Sequence, residues 1–402
     1  MALTLNDIAK EYVQLALGIG LHHEHYIDAY FGPKEWKAEE KVPLERLFEK
    51  ASTLYEMVKD IEEQEDEELR KEFLLIHLQA MKTFISQLNG EKLSFDKESY
   101  YLYDAISPAL NKEDLDKTLE EINTLLPGEG ELHLRMDEYN KNFVIPKDKL
   151  DDVFCAAMNE SRRITKKYIH LSENESFDIE YVSNKVWSGY NWYKGDNYSV
   201  IQLNTDFPMY INRAIDLASH EGYPGHHVFN SLIEEELVKG KGWMEYSVYV
   251  LYSPLSLLAE GSANYGIELS YSKENRMKFE KEVLFPLANL NSDDAALYYL
   301  IQEKLQKLSY AGNMVAQQYL DGTISKDVAI QLLMKYSLTN IKRATQRLAF
   351  IEANRSYVIN YNLGQDIVKN YVEKYAENEN EATKWQIFSQ LLSNPKTASM
   401  MQ

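Results

Sequence analysis

The sequence predicts a mainly α-helical protein with two helical lobes and a small antiparallel β-sheet. Only 17 glycines and 10 prolines occur among 402 residues, and so few helix-breaking residues favour long helices. Apolar residues recur at helical spacing in many segments of the chain. Residues 176–206 are different, because they are rich in tyrosine, tryptophan and valine and partly alternate in polarity as strands do.

Composition limits the classes of protein that the chain can represent. Hydrophobic residues make up 45% and charged residues 26%, which is typical of a globular chain and not of a disordered one. The net charge of −20 disfavours a duplex nucleic-acid binder, which needs a basic face. The single cysteine, Cys155, excludes an internal disulfide framework.

Two further features of the sequence predict a cytoplasmic protein. No stretch reaches about 18 uncharged apolar residues, so we expect no membrane span. The first residues lack the basic and apolar segments of a signal peptide. The sequence leaves the oligomeric state open.

Amphipathic helices are indicated by apolar residues three or four positions apart, which share one helix face. In the first half of the chain they are Ile8, Tyr12, Leu15 and Ile19; Leu47, Ala51, Leu54, Val58 and Ile61; and Leu115, Leu119, Ile122 and Leu126. Asn111 is the predicted N-cap of the third set, and Pro127 with Gly128 ends that helix. Further helices are predicted near 284–320, 325–337 and 338–358. Ser325 is the predicted N-cap of the second of these.

Pro146 and the charged run 147–152 mark the best candidate boundary between two lobes. It predicts an N-terminal helical lobe, 1–146, and a second lobe, 147–402, that contains the sheet and the candidate site. Within the sheet, residues 194–197 predict a turn and 198–203 a strand. That strand could pair with an extended peptide backbone if it lies at an edge of the sheet.

Residues 220–227 read HEGYPGHH and begin like the zinc signature HExxH. In that signature the two histidines lie four positions apart on one helix face, but here Pro224 occupies the fourth position. On a continuous helix His226 would lie about 120° from the face of His220, and His227 about 10 Å further along the axis. Because Pro224 and Gly225 disfavour a continuous helix, we expect a bend there that brings His226 back beside His220.

A catalytic zinc needs three protein ligands and one open position. The third candidate is Glu260, which follows three apolar residues and precedes three small ones, since a lone carboxylate in such surroundings requires a partner. Glu268 is the alternative. A separate group, His22, His23, His25 and Asp28, has helical spacing for a metal, but no further ligand supports a second site.

These motifs resemble a large bacterial family, the domain of unknown function eight-eight-five (DUF885), whose signature is HExxPGHH. The similar elements are HEGYPGHH at 220–227, IDAYFGP at 27–33, LPGEGELHLRMDEYNKNFVIP at 126–146, EGSANYGIE at 260–268 (EGWALYAE in the family) and INYNLGQDI at 359–367. The similarity extends over most of the chain. The sequence departs from the family pattern at Ser262, where the family has tryptophan, and in being shorter than many members.

The resemblance implies a two-lobed helical metallopeptidase-like fold of the gluzincin type. It implies zinc on His220, His226 and Glu260, with Glu221 as the general base that activates a zinc-bound water. Some members keep only the first histidine of the pair, which favours His226 over His227 as the ligand, although the residues themselves leave that choice open. The implied activity is the hydrolysis of short peptides, as a carboxypeptidase or oligopeptidase.

Further roles follow from the chemistry of amide hydrolysis. Tyr361 matches the tyrosine of the family's late element, and its phenol could donate a hydrogen bond to an oxyanion. His227 is a second candidate donor. Arg343 and Arg347 lie four apart and could bind a substrate carboxylate, although a solvated basic face is the more common role of such a pair.

Two alternatives remain at this stage. The site could hydrolyse non-peptide amides or esters, or the chain could be a non-catalytic helical binding protein. A closed site with four protein ligands would favour the second alternative, because catalysis needs an open position.

Overall fold

The computed structural model describes residues 4–61, 67–377 and 380–402, and it confirms a mainly helical fold with small sheets. The α-helices are α1 (Leu5–Gly20), α2 (Leu44–Asp60), α3 (Glu68–Leu88), α4 (Phe95–Tyr103), α5 (Lys112–Leu125), α6 (Leu132–Asn140), α7 (Leu150–Thr165), α8 (Ile211–Leu217), α9 (His226–Leu232), α10 (Pro254–Ser270), α11 (Lys273–Phe279), α12 (Phe285–Leu287), α13 (Ala295–Gln306), α14 (Ala311–Leu320), α15 (Lys326–Ser337), α16 (Ile341–Asn354), α17 (Ile359–Ala376) and α18 (Glu381–Ser393). The strands are β1 (Ile27–Tyr30), β2 (Ser176–Val182), β3 (Gly189–Gly195), β4 (Tyr198–Asn204) and β5 (Val248–Val250).

Local sequence signals position the helix ends as predicted. The side chain of Asn111 accepts a hydrogen bond from the Glu113 amide at the start of α5. Ser325 does the same for Val328 at the start of α15. The segment predicted as helical near 284–320 is divided into α12, α13 and α14, so one continuous helix there would be wrong; Asn289, at the first break, has a positive φ of 54° that a helix does not allow.

The predicted sheet has three strands in the order β2-β4-β3. β3 pairs with β4 in antiparallel fashion, but β2 pairs with β4 in parallel, so the prediction of an antiparallel sheet is wrong for β2. The hairpin turn joins β3 to β4, and β2 lies on the far side of β4. Because β4 is therefore central, its predicted role as an edge strand for substrate is also wrong, and the edge strands are β2 and β3.

A second sheet, in which β1 pairs with β5, was not predicted because its strands are only four and three residues long. The division into two lobes stays a prediction. Buried contacts join residues from both sides of the proposed boundary at Pro146. Arg70 Nε and Nη2, for example, donate to the two carboxylate oxygens of Glu245 at 2.5 and 3.0 Å.

None of the helices in the described residues combines the length and the apolar character that crossing a bilayer requires. The expected cytoplasmic location and the expected absence of nucleic-acid binding stay predictions.

Helices α10 and α17 approach each other so closely that their backbones touch. A β-carbon added to Gly261 on α10 would lie 2.3 Å from the carbonyl carbon of Gly364 on α17. A β-carbon on Gly364 would lie 2.6 Å from the Leu257 carbonyl oxygen. Since α10 contains Glu260 and α17 contains Tyr361, this contact fixes the separation of two candidate site residues.

We expect the substitution Gly261→Ala to lower the free energy of unfolding by about 1–3 kcal/mol, because the added methyl group would overlap a backbone that cannot move aside locally. Urea denaturation followed by circular dichroism measures this change. Gly312→Ala on α14 is the matched control. Its added β-carbon would meet Arg347 Nη2 at an ordinary 3.6 Å, so stability should stay constant or rise slightly. Equal stabilities for the two variants would contradict the tight contact.

Candidate metal centre

The helix that carries His220 is interrupted where the sequence predicts it. After α8 the chain continues as a π-helical turn over Ala218–Gly222, and Tyr223 is extended. π-Turns of this kind are frequent at functional sites. The predicted interruption of the helix is therefore confirmed, and the next helix, α9, begins at His226.

Gly225 makes the reversal of the chain possible. Its amide donates to the Ser219 carbonyl oxygen at 2.9 Å, and a β-carbon at this position would lie 1.9 Å from the carbonyl oxygen of His220. Any other residue would collide with the backbone of the preceding turn. This close approach places the first residue of α9, His226, against His220.

The structure brings His220, His226 and Glu260 together. The two Nε2 atoms of His220 and His226 are 3.2 Å apart. Glu260 Oε2 lies 3.0 Å from the first of these atoms and 3.7 Å from the second. In a tetrahedral zinc site with bonds of about 2.0–2.1 Å, the donor atoms are about 3.3 Å apart. The observed spacing therefore fits one ion shared by three ligands, and these residues could hold such a metal.

The hydrogen bonding of Glu260 agrees with this fit. Glu260 is buried, and its Oε1 accepts a hydrogen bond from the Tyr357 hydroxyl at 2.6 Å. Its Oε2 is buried too but accepts no hydrogen bond of normal geometry from the described residues. Since an unpaired buried carboxylate oxygen is costly, the donor set of this oxygen and two imidazole nitrogens suits a cation.

Electrostatics also favour a positive charge at this position. Burial alone would raise the pKa of Glu260, but attraction from His226 and His220 outweighs it, so this pKa lies well below its usual range. Burial would lower the pKa of His226, but Glu260 raises it to about 9. The carboxylate thus stabilises positive charge beside it, whether an imidazolium or a metal carries that charge.

A supporting residue that the sequence analysis missed orients the first histidine. His220 Nδ1 lies 2.9 Å from Asn264 Oδ1, which accepts a hydrogen bond from the Nδ1–H group and leaves Nε2 facing Glu260. The Asn264 amide in turn donates to the Tyr361 carbonyl oxygen at 2.8 Å. Tyr357, the donor to Glu260, was also missed. Spacing could have indicated both residues, because Asn264 lies four positions after Glu260, and Tyr357 lies four positions before Tyr361.

Glu221 lies next to the cluster, and its carboxylate has no partner among the described residues. It is only 4% exposed, yet its carboxylate makes no hydrogen bond or ion pair with the described residues. Asn191 Nδ2 donates a hydrogen bond to the backbone carbonyl oxygen of Glu221 at 2.7 Å. A β-carbon on Gly189 would lie 2.8 Å from Glu221 Oε1. Burial raises the pKa of Glu221. The arrangement leaves a buried carboxylate free to exchange a proton.

Tyr361 lies beside His220. The two rings are nearly parallel, with centroids 6.3 Å apart. Burial raises the pKa of Tyr361 well above its usual value, so its hydroxyl stays protonated, and this hydroxyl has no hydrogen-bond partner among the described residues. The side chain is therefore an available donor beside the cluster.

Asp28 also belongs to this region and not to a metal site with His22, His23 and His25. Its carboxylate accepts a hydrogen bond from the Tyr190 hydroxyl of β3. Burial raises the pKa of Asp28 to about 6, and the charges of His226 and Glu260 also affect it.

The structure does not bring His227 to the cluster. The residue is fully buried on the side of α9 that faces the sheet, where Nδ1 lies 2.8 Å from Ser199 Oγ. Nε2 lies 3.4 Å from Glu175 Oε2, which also accepts from the Tyr223 hydroxyl at 2.5 Å. With both ring nitrogens engaged and no exposed surface, His227 supports the turn at Tyr223 and cannot donate to a substrate.

Glu175 holds that turn, so we expect Glu175→Ala to lower the free energy of unfolding by at least about 2 kcal/mol at pH 7. Burial by itself would raise the pKa of Glu175, but hydrogen bonds from His227, Tyr223 and Arg162 lower it to about 2. Folded Glu175 therefore stays ionised below its ordinary value of 4.5, where the unfolded chain takes up a proton. The stability advantage of the wild type is complete above pH 4.5 and is lost as the pH falls through about 2.

Denaturation of the two proteins between pH 2 and 7 measures this difference. The matched control is Glu160→Ala, which removes the partner of Arg163, the residue after Arg162. That ion pair is exposed, so its loss should cost less than about 1 kcal/mol. A pH-independent gap between wild type and Glu175→Ala would show that the carboxylate charge plays no part.

Comparisons with known proteins describe the fold and not the chemistry. No protein-family model matches the chain, and the search of curated proteins gives no significant match. The structure is similar to that of a presumed lipoprotein from Colwellia psychrerythraea, with a TM-score of 0.57 and 14% identity over 91% of this chain and 70% of that one. A presumed lipoprotein of unknown function from Shewanella oneidensis gives a TM-score of 0.48 and 12% identity over 87% and 72%. At this identity the first similarity shows a shared fold, and the resemblance to DUF885 rests on the motifs alone.

Proposed function

We propose that this chain is a zinc-dependent metallopeptidase that hydrolyses short peptides. The observation that carries the proposal is the convergence of His220, His226 and Glu260 at zinc-like spacing, with the unpaired carboxylate of Glu221 beside them. Among the described residues the cluster has three members, so a coordination position is left for a reactant, as catalysis requires. This favours an enzyme over the binding-protein alternative.

His220, His226 and Glu260 would hold the metal, and Asn264 and Tyr357 would orient two of these ligands. Zinc in such a site supplies a Lewis acid, which polarises a carbonyl group and makes water more acidic.

Glu221 is the proton carrier in this proposal. A buried carboxylate with a raised pKa accepts a proton from the attacking water more readily than an exposed one. The same group then donates that proton to the amine that leaves when the carbon–nitrogen bond breaks. Tyr361 donates a hydrogen bond to the carbonyl oxygen as this oxygen gains negative charge.

The position of β3 supports a peptide as the substrate over other amides and esters. β3 is an edge strand, and its first residue, Gly189, contacts Glu221. The backbone groups on the outer side of an edge strand can pair with an extended peptide. Such pairing would align the scissile bond along the strand, next to the proton carrier.

The first test is metal content by plasma mass spectrometry on untagged protein. We expect about one zinc per chain in the wild type and in Glu221→Gln, and none in Glu260→Ala, which lacks a ligand. Peptide hydrolysis, followed by mass spectrometry on a mixture of short peptides, should be lost in both variants. An active Glu221→Gln protein would exclude Glu221 as the base, and a wild type that binds no zinc after exposure and dialysis would refute the proposal.

The substitution Tyr361→Phe tests the oxyanion donor. Removing one such donor should lower kcat by about 100-fold and leave KM and zinc content nearly unchanged, because the hydrogen bond strengthens only as charge develops. Tyr375→Phe, an exposed tyrosine on the same helix, is the control and should retain full activity. If both variants kept the wild-type kcat, Tyr361 would have no role in the chemical step.

A further inference from the structure

Arg347 on α16 is a cation without an acidic partner among the described residues. No carboxylate of the described residues forms an ion pair or hydrogen bond with its guanidinium. Neighbouring arginines are engaged: Arg343 Nη2 donates to the Pro208 carbonyl oxygen at 3.0 Å, and Arg355 Nε to Glu98 Oε2 at 2.7 Å. Arg347 is therefore available to bind an anion that the described residues do not supply.

A chain of aromatic contacts connects this guanidinium to the candidate metal centre. Its central carbon lies 5.6 Å from the centroid of the Phe350 ring. The Phe350 ring is 6.3 Å from that of Tyr361, which is in turn 6.3 Å from His220. An extended peptide residue spans about 3.3–3.6 Å, so only a few residues separate the metal centre from Arg347.

The surroundings of Arg347 distinguish it from a freely solvated side chain. The residue is solvent-exposed, yet the protein around it is dense enough for burial to lower the pKa of Arg347. An accessible cation with reduced hydration and no counter-ion is typical of a binding cleft, because a ligand can supply the missing charge.

We infer that Arg347 binds the terminal carboxylate of the substrate, which selects short peptides with a free C-terminus. The planar guanidinium can donate two parallel hydrogen bonds to one carboxylate group. Glu221, Glu260 and Asp28 place carboxylates at the metal centre, whereas Arg347 is a cation that no carboxylate of the described residues neutralises. The terminal carboxylate therefore binds at Arg347, and the scissile carbonyl group lies at the metal centre. The inference rests on the proposed function, which it narrows to a carboxypeptidase-type specificity within a few residues of the C-terminus.

The experiment compares acetyl-Ala-Phe-Ala-Ala with a free carboxylate and the same peptide with a C-terminal amide. In the wild type we expect a lower KM for the acid. Arg347→Gln should raise KM for the acid about 10- to 100-fold, leave KM for the amide unchanged and affect kcat little, because a charge-assisted pair is lost. Arg347→Lys should restore part of the preference. Arg343→Gln, one helical turn away, is the matched control and should retain the full preference.

Titration calorimetry provides a readout that does not depend on turnover. In the full-length Glu221→Gln background, the acid should bind more tightly than the amide, and adding Arg347→Gln should remove that difference in Kd. The inference would be overturned if the acid-to-amide ratios of KM and Kd were equal with and without Arg347→Gln. It would also be overturned if Arg343→Gln lost the preference for the acid as fully as Arg347→Gln does. Hydrolysis of the peptides would uphold the proposed function in either case. If the wild type hydrolyses neither peptide, the proposed function fails for these peptides. Tighter binding of the acid that still requires Arg347 would then support the carboxylate subsite alone. The absence of such binding would overturn the inference.

Discussion

The candidate site depends on how closely the chain passes over itself between His220 and His226. An uninterrupted helix would separate these side chains by about 120° around its axis, too far for both to reach one ion. The reversal at Gly225 removes that separation, because this residue rests on the carbonyl oxygens of Ser219 and His220 at distances that no side chain allows. The candidate metal ligands are thus brought together by a backbone contact, and their own side chains play little part in the turn.

Glycine also allows the backbone to approach closely at two other places around the site. Gly261 and Gly364 let α10 and α17 touch, which fixes the spacing between Glu260 and Tyr361 beside His220. Gly189 lets the edge strand approach Glu221 without covering its carboxylate. Where backbones meet directly, small shifts of flexible side chains cannot change the distance, so the geometry is rigid in the way that a preorganised site requires.

Much of the fold and part of the site could be predicted because the signals are local. Asn111 and Ser325 cap helices as their sequence positions indicate, and proline and glycine after His220 predicted the bulge. The choice between His226 and His227 could not be made, because it depends on the rotation of α9 relative to the preceding turn. The direction of β2 also escaped prediction, since a parallel partner is chosen by how the chain returns to the sheet and not by the pattern of its residues.

Supporting residues escaped prediction for a related reason. Asn264 and Tyr357 have no distinctive composition, and their roles become visible only when helices far apart in sequence place them against His220 and Glu260.

The balance of charge around the site connects these observations. Glu221, Glu260 and Asp28 lie near two histidines. Positive charge between these carboxylates is needed to reduce their mutual repulsion. A bound cation would supply that charge at the candidate metal centre, and Arg347 carries a positive charge that no carboxylate of the described residues pairs with. A ligand that is neutral where it meets the metal centre and negative at its far end would complement both the metal centre and Arg347. A peptide with a free carboxyl terminus has that distribution of charge, and an internal segment of a protein does not.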